Sequence, residues 1–294
     1  MAVIDSHLHV WNAESAATPW SRDWAPFAHL PSFMPERALE EMDAAGVDRA
    51  LLIPTPWDMT GSELMLHAAL NAPARFGVMG HVSVRHPDAD LIVGMRERRI
   101  LGFRLVYPPG STRPWLRDGS ADWFWQTVEA ADVPVMVWMP GESASLELIL
   151  ERFPLLRIAI DHLNLGMKTS EEDLKRAGES LRRFARYRNV ALKVSALPAA
   201  SHERYPFGDV QGVVREVIDM FGSSRVFWGS DVTRMPCPYD QCLGVLRDSS
   251  LLTEREKELV LGAALQEWLP WRILPTAEGM KSSSAIRESP GGES

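Results

Sequence analysis

Cysteine, basic charge and long apolar runs are all scarce in this sequence. Its 294 residues hold two cysteines, Cys237 and Cys242, too few for a disulfide framework or a four-cysteine zinc site. Lysine and arginine number 31 against 39 acidic residues, and the net charge of −8 argues against a general nucleic-acid binder. No apolar run approaches the roughly 18 residues that a membrane-spanning helix requires. The opening MAVIDSHLHVW lacks the basic segment of a signal peptide, so a cytoplasmic protein without a membrane partner is expected.

Short runs rich in valine, isoleucine and aromatic residues alternate with amphipathic segments along most of the chain. Eight such runs predict buried parallel strands at residues 2–10, 49–54, 77–84, 100–107, 134–139, 157–163, 190–196 and 225–230. The segments between and after them predict helices at 35–45, 63–72, 87–98, 123–131, 143–153, 171–187, 209–221, 239–247 and 254–269. Eight strand–helix units favour a closed (β/α)8 TIM barrel over an open doubly wound sheet, and no glycine-rich phosphate loop follows the first strand. We therefore expect a single α/β barrel domain over residues 1–275.

Two segments lie outside this repeat. Residues 12–33 form a long loop after the first strand, and its aromatic side chains and His29 favour an ordered lid that contacts substrate. The last residues, 276–294, are polar and rich in glycine and serine, which predicts a disordered C-terminal tail.

The ends of the predicted strands carry the residues suited to catalysis. Strand alternation places His7 and His9 on one face, where two imidazoles can chelate a divalent cation or polarise one substrate oxygen. The alternative is a pair of hydrogen-bonded core histidines. His162 follows the sixth strand and Asp231 the eighth, and a carboxylate buried there needs a histidine, an arginine or a metal as its partner. Catalytic groups of such barrels come from strand ends, so these residues together predict the active site.

Five segments carry a family resemblance that spans nearly the whole barrel: DSHLHVW, GFRL, IDHLN, VALKVSAL and VFWGSDVTRMP. In this order they resemble the amidohydrolase superfamily. The nearest branch holds the lactonases of 2-pyrone-4,6-dicarboxylate, sulfomuconolactone and sugar acids. The same broad group contains the aminocarboxymuconate-semialdehyde and benzoate decarboxylases. The resemblance implies that four strand-end residues act in catalysis or bind a metal: His7, His9, His162 and Asp231.

The sequence departs from the metal-binding members of this superfamily at two strands. Those members end strand five with a histidine, where this chain offers Trp138 or Met139. Binuclear members end strand four with a bridging lysine or glutamate, where this chain holds Arg104. A binuclear site is therefore not expected. One divalent ion, with zinc as the candidate, needs only three protein ligands and remains feasible, and metal-independent action is the open alternative.

A pocket for a small anionic substrate is also expected. Arg104 and Arg234 could each grip a substrate carboxylate bidentately. The alternatives are a salt bridge that joins barrel strands for Arg104 and an exposed loop charge for Arg234. Lys193 is either a base inside the barrel or a side chain that extends to its rim. Four aromatic residues could wall the pocket against a planar ring, with packing in the hydrophobic core as their alternative: Tyr107, Trp138, Trp20 and Trp24.

Three functions are compatible with these residues. The first is a hydrolase in aromatic compound catabolism that opens a carboxylated lactone of the pyrone, muconolactone or sugar-acid type. In it, Asp231 takes a proton from water, and the histidines or a metal stabilise the oxyanion. The second is a metal-dependent non-oxidative decarboxylase of an aromatic or muconate-type acid. The third is a barrel that binds a ligand without turnover, since fold does not determine function. The oligomeric state stays open, with a homo-oligomer as one alternative.

Overall fold

Eight strands hydrogen-bond in sequence order into one parallel sheet. They are β1 Ile4–Leu8, β2 Arg49–Leu52, β3 Phe76–His81, β4 Ile100–Val106, β5 Val135–Trp138, β6 Ile158–Ile160, β7 Val190–Ser195 and β8 Val226–Gly229. The first and last strands, β1 and β8, lie side by side, and the Asp231 backbone N–H donates to the His7 carbonyl at 2.9 Å. The sheet is thus rolled into the predicted barrel, in a computed structural model that describes residues 2–58, 60–84, 88–95, 99–107, 114–166, 168–269 and 271.

Helices occupy the connections and make the fold a (β/α)8 TIM barrel. They are α1 Pro35–Ala45, α2 Gly61–Asn71, α3 Ala89–Val93, α4 Asp122–Ala130, α5 Ser143–Arg152, α6 Glu171–Leu181, α7 Leu197–Ala200, α8 Gly208–Phe221, α9 Tyr239–Arg247, α10 Glu254–Glu258 and α11 Ala264–Trp268. Short 3-10 turns lie at Ala25–Phe27, Pro114–Leu116, Asp161–Asn164, Arg182–Phe184, Ser223–Arg225 and Val232–Arg234. Helix α1 has its predicted bounds because Pro35 opens it and Gly46, at φ 76°, closes it in the left-handed region.

The prediction of one continuous C-terminal helix over residues 254–269 is wrong, because the observed helix is interrupted. A π-turn, Leu259–Ala263, separates α10 from α11. A Cβ atom at Gly262 would collide with the Ala2 backbone oxygen, so the glycine lets this turn pack directly against the start of β1. Of the predicted helix 87–98 the structure describes residues 88–95, which contain α3. The predicted tail 276–294 lies outside the described residues.

Apolar side chains close the amino-terminal end of the barrel and leave the other end polar. Ile4, Met79, Met136 and Phe227 belong to one interior cluster that the C-terminal segment covers with Leu265, Leu269 and Trp271. A larger cluster fills the layer between the strands and the surrounding helices. Among the described residues, none of the helices combines the length and apolar character needed to cross a bilayer.

The long loop after β1 is held at its base and at its middle. Trp11 and Phe33 exchange backbone hydrogen bonds of 2.9 and 3.1 Å, which closes its neck. Farther along, Trp20 forms an isolated bridge with Asp58, and the turn Ala25–Phe27 follows. The loop therefore has the fixed anchor points that an ordered lid requires.

Candidate active site

An irregularity in β1 turns the paired histidines toward the inside of the barrel. Ile4 belongs to the interior cluster, so strict alternation would direct His7 outward. The pairing register with β2 shifts between Asp5 and Leu8. After the shift Leu8 packs in the outer layer, while His7 and His9 face the interior. A strand irregularity of this kind re-aims side chains next to functional sites.

The carboxylate of Asp5 stabilises the irregularity from behind the strand. Its oxygens accept hydrogen bonds from the His7 backbone N–H at 2.8 Å and the Ser230 backbone N–H at 2.9 Å. The hydroxyls of Ser230 and Tyr239 donate to the same carboxylate, the latter at 2.6 Å. Asp5 is completely buried, so these donors compensate for its lost hydration. Sequence reasoning gave Asp5 no role, because two of its partners, Ser230 and Tyr239, lie more than 220 residues away in the sequence.

Left-handed backbone at two strand ends brings the other predicted residues into the mouth. His162 follows β6 at φ 53°, and Asp231 follows β8 at φ 52°. Leu163 and Asn164 have similar positive φ values. Such conformations cost non-glycine residues about 1 kcal/mol or more each, and they cluster at functional sites. The strained turns end the strands and aim both side chains over the barrel axis.

The three histidines form a compact, neutral cluster. The Nε2 atoms of His7 and His9 lie 3.2 Å apart, and the ring centroids of His7 and His162 lie 4.4 Å apart. His9 Nδ1 is 2.8 Å from the Ile53 carbonyl oxygen. Burial, reinforced by nearby cations such as Arg104, lowers the pKa of all three well below the usual value of 6.5. They are therefore uncharged at neutral pH, as metal ligands and neutral hydrogen-bonding groups must be.

Asp231 has the properties of a general base. Both of its carboxylate oxygens are buried and lack a hydrogen-bond partner within the described part of the chain. His9 Nε2 lies 3.5 Å from one oxygen and an Arg234 guanidinium nitrogen 3.8 Å from the other. Burial raises the pKa of Asp231 to about 6, although Arg234 and Arg104 oppose the rise. A carboxylate with a pKa near neutrality and open oxygens is suited to accept a proton.

A buried ion network lies beneath the histidines. Asp161 accepts from Arg104 Nε at 3.0 Å and lies 3.0 Å from Lys193 Nζ, which in turn is 2.7 Å from His7 Nδ1. Arg104 thus takes the strand-joining salt bridge that was its alternative, and it lines the pocket as well. Lys193 does not extend to the rim, since it is completely buried. Asp161 directly follows β6, and a carboxylate at the end of a buried strand needs a partner, which is the signal in the sequence that points to this network.

A solvent-open pocket of about 410 Å³ lies above these groups. Seven of the predicted residues line it: His9, His162, Asp231, Arg104, Arg234, Trp138 and Trp24. Phe27 from the loop and Trp57 after β2 add aromatic walls that sequence reasoning missed. Trp138 is fixed there because its indole N–H donates to the Leu165 carbonyl at 2.7 Å. His7 is completely buried below this pocket.

Three predicted contacts lie elsewhere. Trp20 supports the base of the loop, with its indole N–H donating to the Asn12 carbonyl at 3.1 Å, and it does not line this pocket. Tyr107 packs edge-on to Trp115 and lines a neighbouring cavity of about 990 Å³ instead. His29 faces a separate groove on the outside of the barrel. Sequence position put all three near the mouth, but the direction of each side chain depends on the loop path.

The site residues fit one divalent ion. Ligand atoms of His7, His162 and Asp231 lie within 4.8 Å of one another. Ligands on a tetrahedral zinc ion, with bonds of roughly 2.0–2.1 Å, lie about 3.4 Å apart, close to the 3.2 Å between the His7 and His9 nitrogens. The Asp231 carboxylate oxygens, which have no hydrogen-bond partner within the described residues, are further suitable metal-ligand atoms. Within the described residues no other cluster of this kind is found.

The class of protein follows from a family comparison. The family model for amidohydrolases matches residues 4–264, so this chain belongs to the amidohydrolase family. An L-fucono-1,5-lactonase of Burkholderia ambifaria is 25% identical to it over 231 residues, which cover 78% of this chain and 79% of the lactonase. The protein is an enzyme of the amidohydrolase superfamily, and the alternative of a barrel without turnover is not supported.

Solved structures share the fold. An amidohydrolase from Burkholderia multivorans with bound zinc has a TM-score of 0.76 and 19% identity, and the match covers 92% of this chain and 100% of that one. A probable 2-pyrone-4,6-dicarboxylic acid hydrolase from Acinetobacter baumannii with bound citric acid has a TM-score of 0.73 and 18% identity, covering 91% and 99%. A 5-carboxyvanillate decarboxylase from Sphingomonas paucimobilis has a TM-score of 0.63 and 15% identity, covering 91% and 98%.

Proposed function

We propose that this enzyme is a lactonase that hydrolyses the ring ester of a small anionic or polar lactone. The observation that carries the proposal is Asp231, a buried carboxylate with two open oxygens and a pKa of about 6 beside neutral histidines. The lactonase relative and the pyrone hydrolase neighbour support the same class of reaction. Which lactone is opened is the finer part of the proposal, and a carboxylated ring is the substrate class we favour.

The reaction begins with water held by Asp231. A carboxylate oxygen accepts a proton from this water while the water oxygen attacks the lactone carbonyl carbon. The carbonyl oxygen becomes an oxyanion that imidazole N–H groups of the site stabilise, and these groups are already oriented before substrate arrives. Collapse of the tetrahedral intermediate breaks the bond to the ring oxygen. The protonated Asp231 returns its proton to that oxygen, so the product is an open hydroxy acid.

Substrate orientation falls to the pocket walls. Arg234 is partly exposed and its Nε has no hydrogen-bond partner within the described residues, so it can grip a substrate carboxylate or the carboxylate that forms. Trp24, Trp57 and Trp138 provide flat surfaces for the ring. A divalent ion, with zinc as the proposed metal, would be held by His7, His162 and Asp231 and would supply Lewis-acid polarisation of the carbonyl.

Non-oxidative decarboxylation is the second candidate. Its supporting observations are the cluster of three candidate metal ligands and the decarboxylase among the structures that share the fold. In this reaction a carboxylate leaves as carbon dioxide and the ring carbon takes up a proton. The two candidates therefore change the acidity of the solution in opposite directions.

The initial proton change in weak buffer distinguishes them. The panel is L-fucono-1,5-lactone, 2-pyrone-4,6-dicarboxylate, a muconolactone and 5-carboxyvanillate, followed with a pH indicator. Acid release on a lactone is expected, because a carboxylic acid forms and ionises at neutral pH. Initial proton uptake on the aromatic acid, abolished by chelation, would establish the decarboxylase instead.

Matched aspartate variants test the role of Asp231. Asp231→Asn is expected to lower kcat for the lactone by 10²-fold or more, the range typical of a lost general base. Asp219→Asn removes an exposed aspartate that pairs with Arg215 on α8, and it should leave the rate unchanged. Equal rates in the two variants would remove Asp231 from the mechanism.

A further inference from the structure

The two cysteines of the chain lie side by side where the loop after β8 enters α9. Their sulfur atoms are 3.6 Å apart. Cys237 is half-buried on the loop, whereas Cys242 is buried on the first turn of α9. The backbone of Cys242 is further held by its carbonyl, which accepts from the Trp228 indole N–H at 3.2 Å. Neither thiol takes part in the proposed reaction.

The two thiols have unequal environments. Cys237 lines a groove of about 1060 Å³ on the outside of the barrel, and Cys242 does not, so a small solute reaches Cys237 first. The Cys242 thiol donates to the Cys237 sulfur, which lowers the pKa of Cys237, although burial and Asp240 oppose this effect. The same contact, together with burial, raises the pKa of Cys242. An accessible thiol with a lowered pKa beside a second, protected thiol is the arrangement typical of redox-sensitive cysteines.

A disulfide between them would displace the loop more than the helix. The sulfur atoms must approach from 3.6 Å to about 2.05 Å, and α9 holds Cys242 in the packed core. Rotation of the Cys237 side chain takes up part of this movement. Pro236 and Pro238 flank Cys237 and restrict the backbone on both sides of it. The remaining movement therefore passes along the loop.

This loop carries groups of the candidate active site. Only Met235 and Pro236 separate Cys237 from Arg234, which lines the pocket and lies 3.8 Å from Asp231. A shift of the loop at Cys237 thus reaches the guanidinium that is placed to grip a substrate carboxylate.

We propose that Cys237 and Cys242 form a redox-sensitive site, in which a hydroperoxide oxidises Cys237, Cys242 closes a disulfide, and the displaced loop weakens the grip of Arg234 on substrate. The modification itself is independent of the reaction that the enzyme catalyses. Its effect on substrate binding rests on the proposed lactonase function.

The chemistry has two balanced steps. The Cys237 thiolate attacks one oxygen of the hydroperoxide, the O–O bond breaks, and the leaving alkoxide takes up a proton, which leaves a sulfenic acid on Cys237. The Cys242 sulfur then attacks the Cys237 sulfur, an S–S bond forms, and the sulfenic hydroxyl leaves as water with the thiol proton of Cys242. Two thiols and one hydroperoxide thus give one disulfide, one alcohol and one water. The sulfurs lose the two electrons that the hydroperoxide gains.

The modification is tested with hydrogen peroxide as the probe, for which the alcohol product is water. Reduced protein is oxidised, alkylated with N-ethylmaleimide and digested with trypsin, which releases both cysteines in one peptide, residues 235–247. The wild-type peptide is expected to lose two hydrogen atoms and to resist alkylation. Cys242→Ser is expected to stop at a Cys237 sulfenic acid that dimedone traps, and Cys237→Ser should resist peroxide because Cys242 is buried. An unoxidised wild-type pair, or faster oxidation of Cys242 than of Cys237, would overturn the proposal.

The effect on binding is tested with a carboxylated lactone. Oxidised protein is expected to have a KM raised about threefold or more, a part of the roughly tenfold loss that follows when a hydrogen bond to a charged group is broken, and dithiothreitol should restore it. Cys237→Ser should have the same KM before and after peroxide, and in Arg234→Met oxidation should no longer change KM. An unchanged KM in oxidised wild-type protein would overturn the link between the disulfide and the site.

Failure of the reduced protein to open any lactone would count against the proposed function and not against the disulfide. Amide hydrogen exchange over residues 231–239 then tests the link without substrate. It is expected to differ between oxidised and reduced wild-type protein, and to be unaffected by peroxide in Cys237→Ser. Equal exchange in the two states of the wild-type protein would overturn the proposed displacement of the loop.

Discussion

Neutralising Asp161 is predicted to be among the most destabilising single-atom changes in the barrel. Asp161→Asn keeps the shape of the side chain but removes the charge that contacts both Arg104 and Lys193, all three being buried. Breaking one buried ion pair costs about 3–5 kcal/mol, because the remaining charge has lost both hydration and partner. Arg104 cannot shed its proton, whereas Lys193 can do so, since burial already lowers its pKa to about 8.

The free energy of unfolding is therefore expected to fall by about 4 kcal/mol, the cost of one broken buried ion pair and not of two. For a domain of this size about 1 kcal/mol corresponds to roughly 2–4 °C in Tm, which gives a decrease of about 8–16 °C. Urea unfolding followed by circular dichroism measures the free energy of unfolding directly. The matched control is Glu172→Gln, which neutralises an exposed acid paired with Arg176 at 2.7 Å on α6, and it should cost less than about 0.5 kcal/mol.

A double variant separates charge from packing. Asp161→Asn combined with Lys193→Met removes one of the two stranded cations, so it should recover about 1 kcal/mol or more relative to Asp161→Asn alone. If Asp161→Asn is as stable as Glu172→Gln, the reasoning from buried charge is refuted. If the double variant loses more free energy of unfolding than Asp161→Asn and Lys193→Met lose in sum, the packing of the Lys193 side chain outweighs its charge.

Further predictions concern pH, backbone and redox chemistry. Since a general base must be deprotonated, kcat/KM for lactone opening should fall as the pH drops through about 6, the pKa of Asp231. Arg234→Met should move this acidic limb of the pH profile to higher pH, because the Arg234 guanidinium lowers the pKa of Asp231. A limb at pH 4 in both proteins would contradict this. Gly262→Ala should cost about 1–3 kcal/mol in urea unfolding, where Gly212→Ala, with open space around it, should cost little. Cys237 and Cys242, with sulfurs 3.6 Å apart, should form a disulfide with diamide, lowering the mass by two hydrogen atoms; an unchanged mass would contradict it.

The strands and most helices were predictable because their signals are local. Runs of β-branched residues identify buried strands, and Pro35 and Gly46 mark the ends of α1 within the sequence itself. The interruption at Gly262 was not predictable, since its cause is the backbone of Ala2 at the opposite end of the chain. Local patterns thus predict the elements, and contacts between distant segments decide where an element breaks.

The candidate site divides in the same way. Residues that stand at strand ends could be named, because the barrel topology brings all such ends to one mouth. Alternation correctly paired His7 with His9, but only the irregularity at Asp5 decides that the pair faces inward. The partners of Lys193 come from other strands, so its burial could not be separated from a position at the rim. Trp20 shows the limit for loops, where composition predicts order but not direction.

The seam between β1 and β8 links completion of the fold to completion of the site. His7 stands on the first strand and Asp231 follows the last, and a backbone hydrogen bond joins the two directly across the seam. Asp5, which turns His7 inward, is itself held by Ser230 and Tyr239 beyond the last strand. A folding intermediate with an open seam would thus have most of its secondary structure and yet no assembled site. Recovery of activity during refolding therefore reports on the pairing of the first strand with the last, which is the strand contact with the largest sequence separation in the barrel.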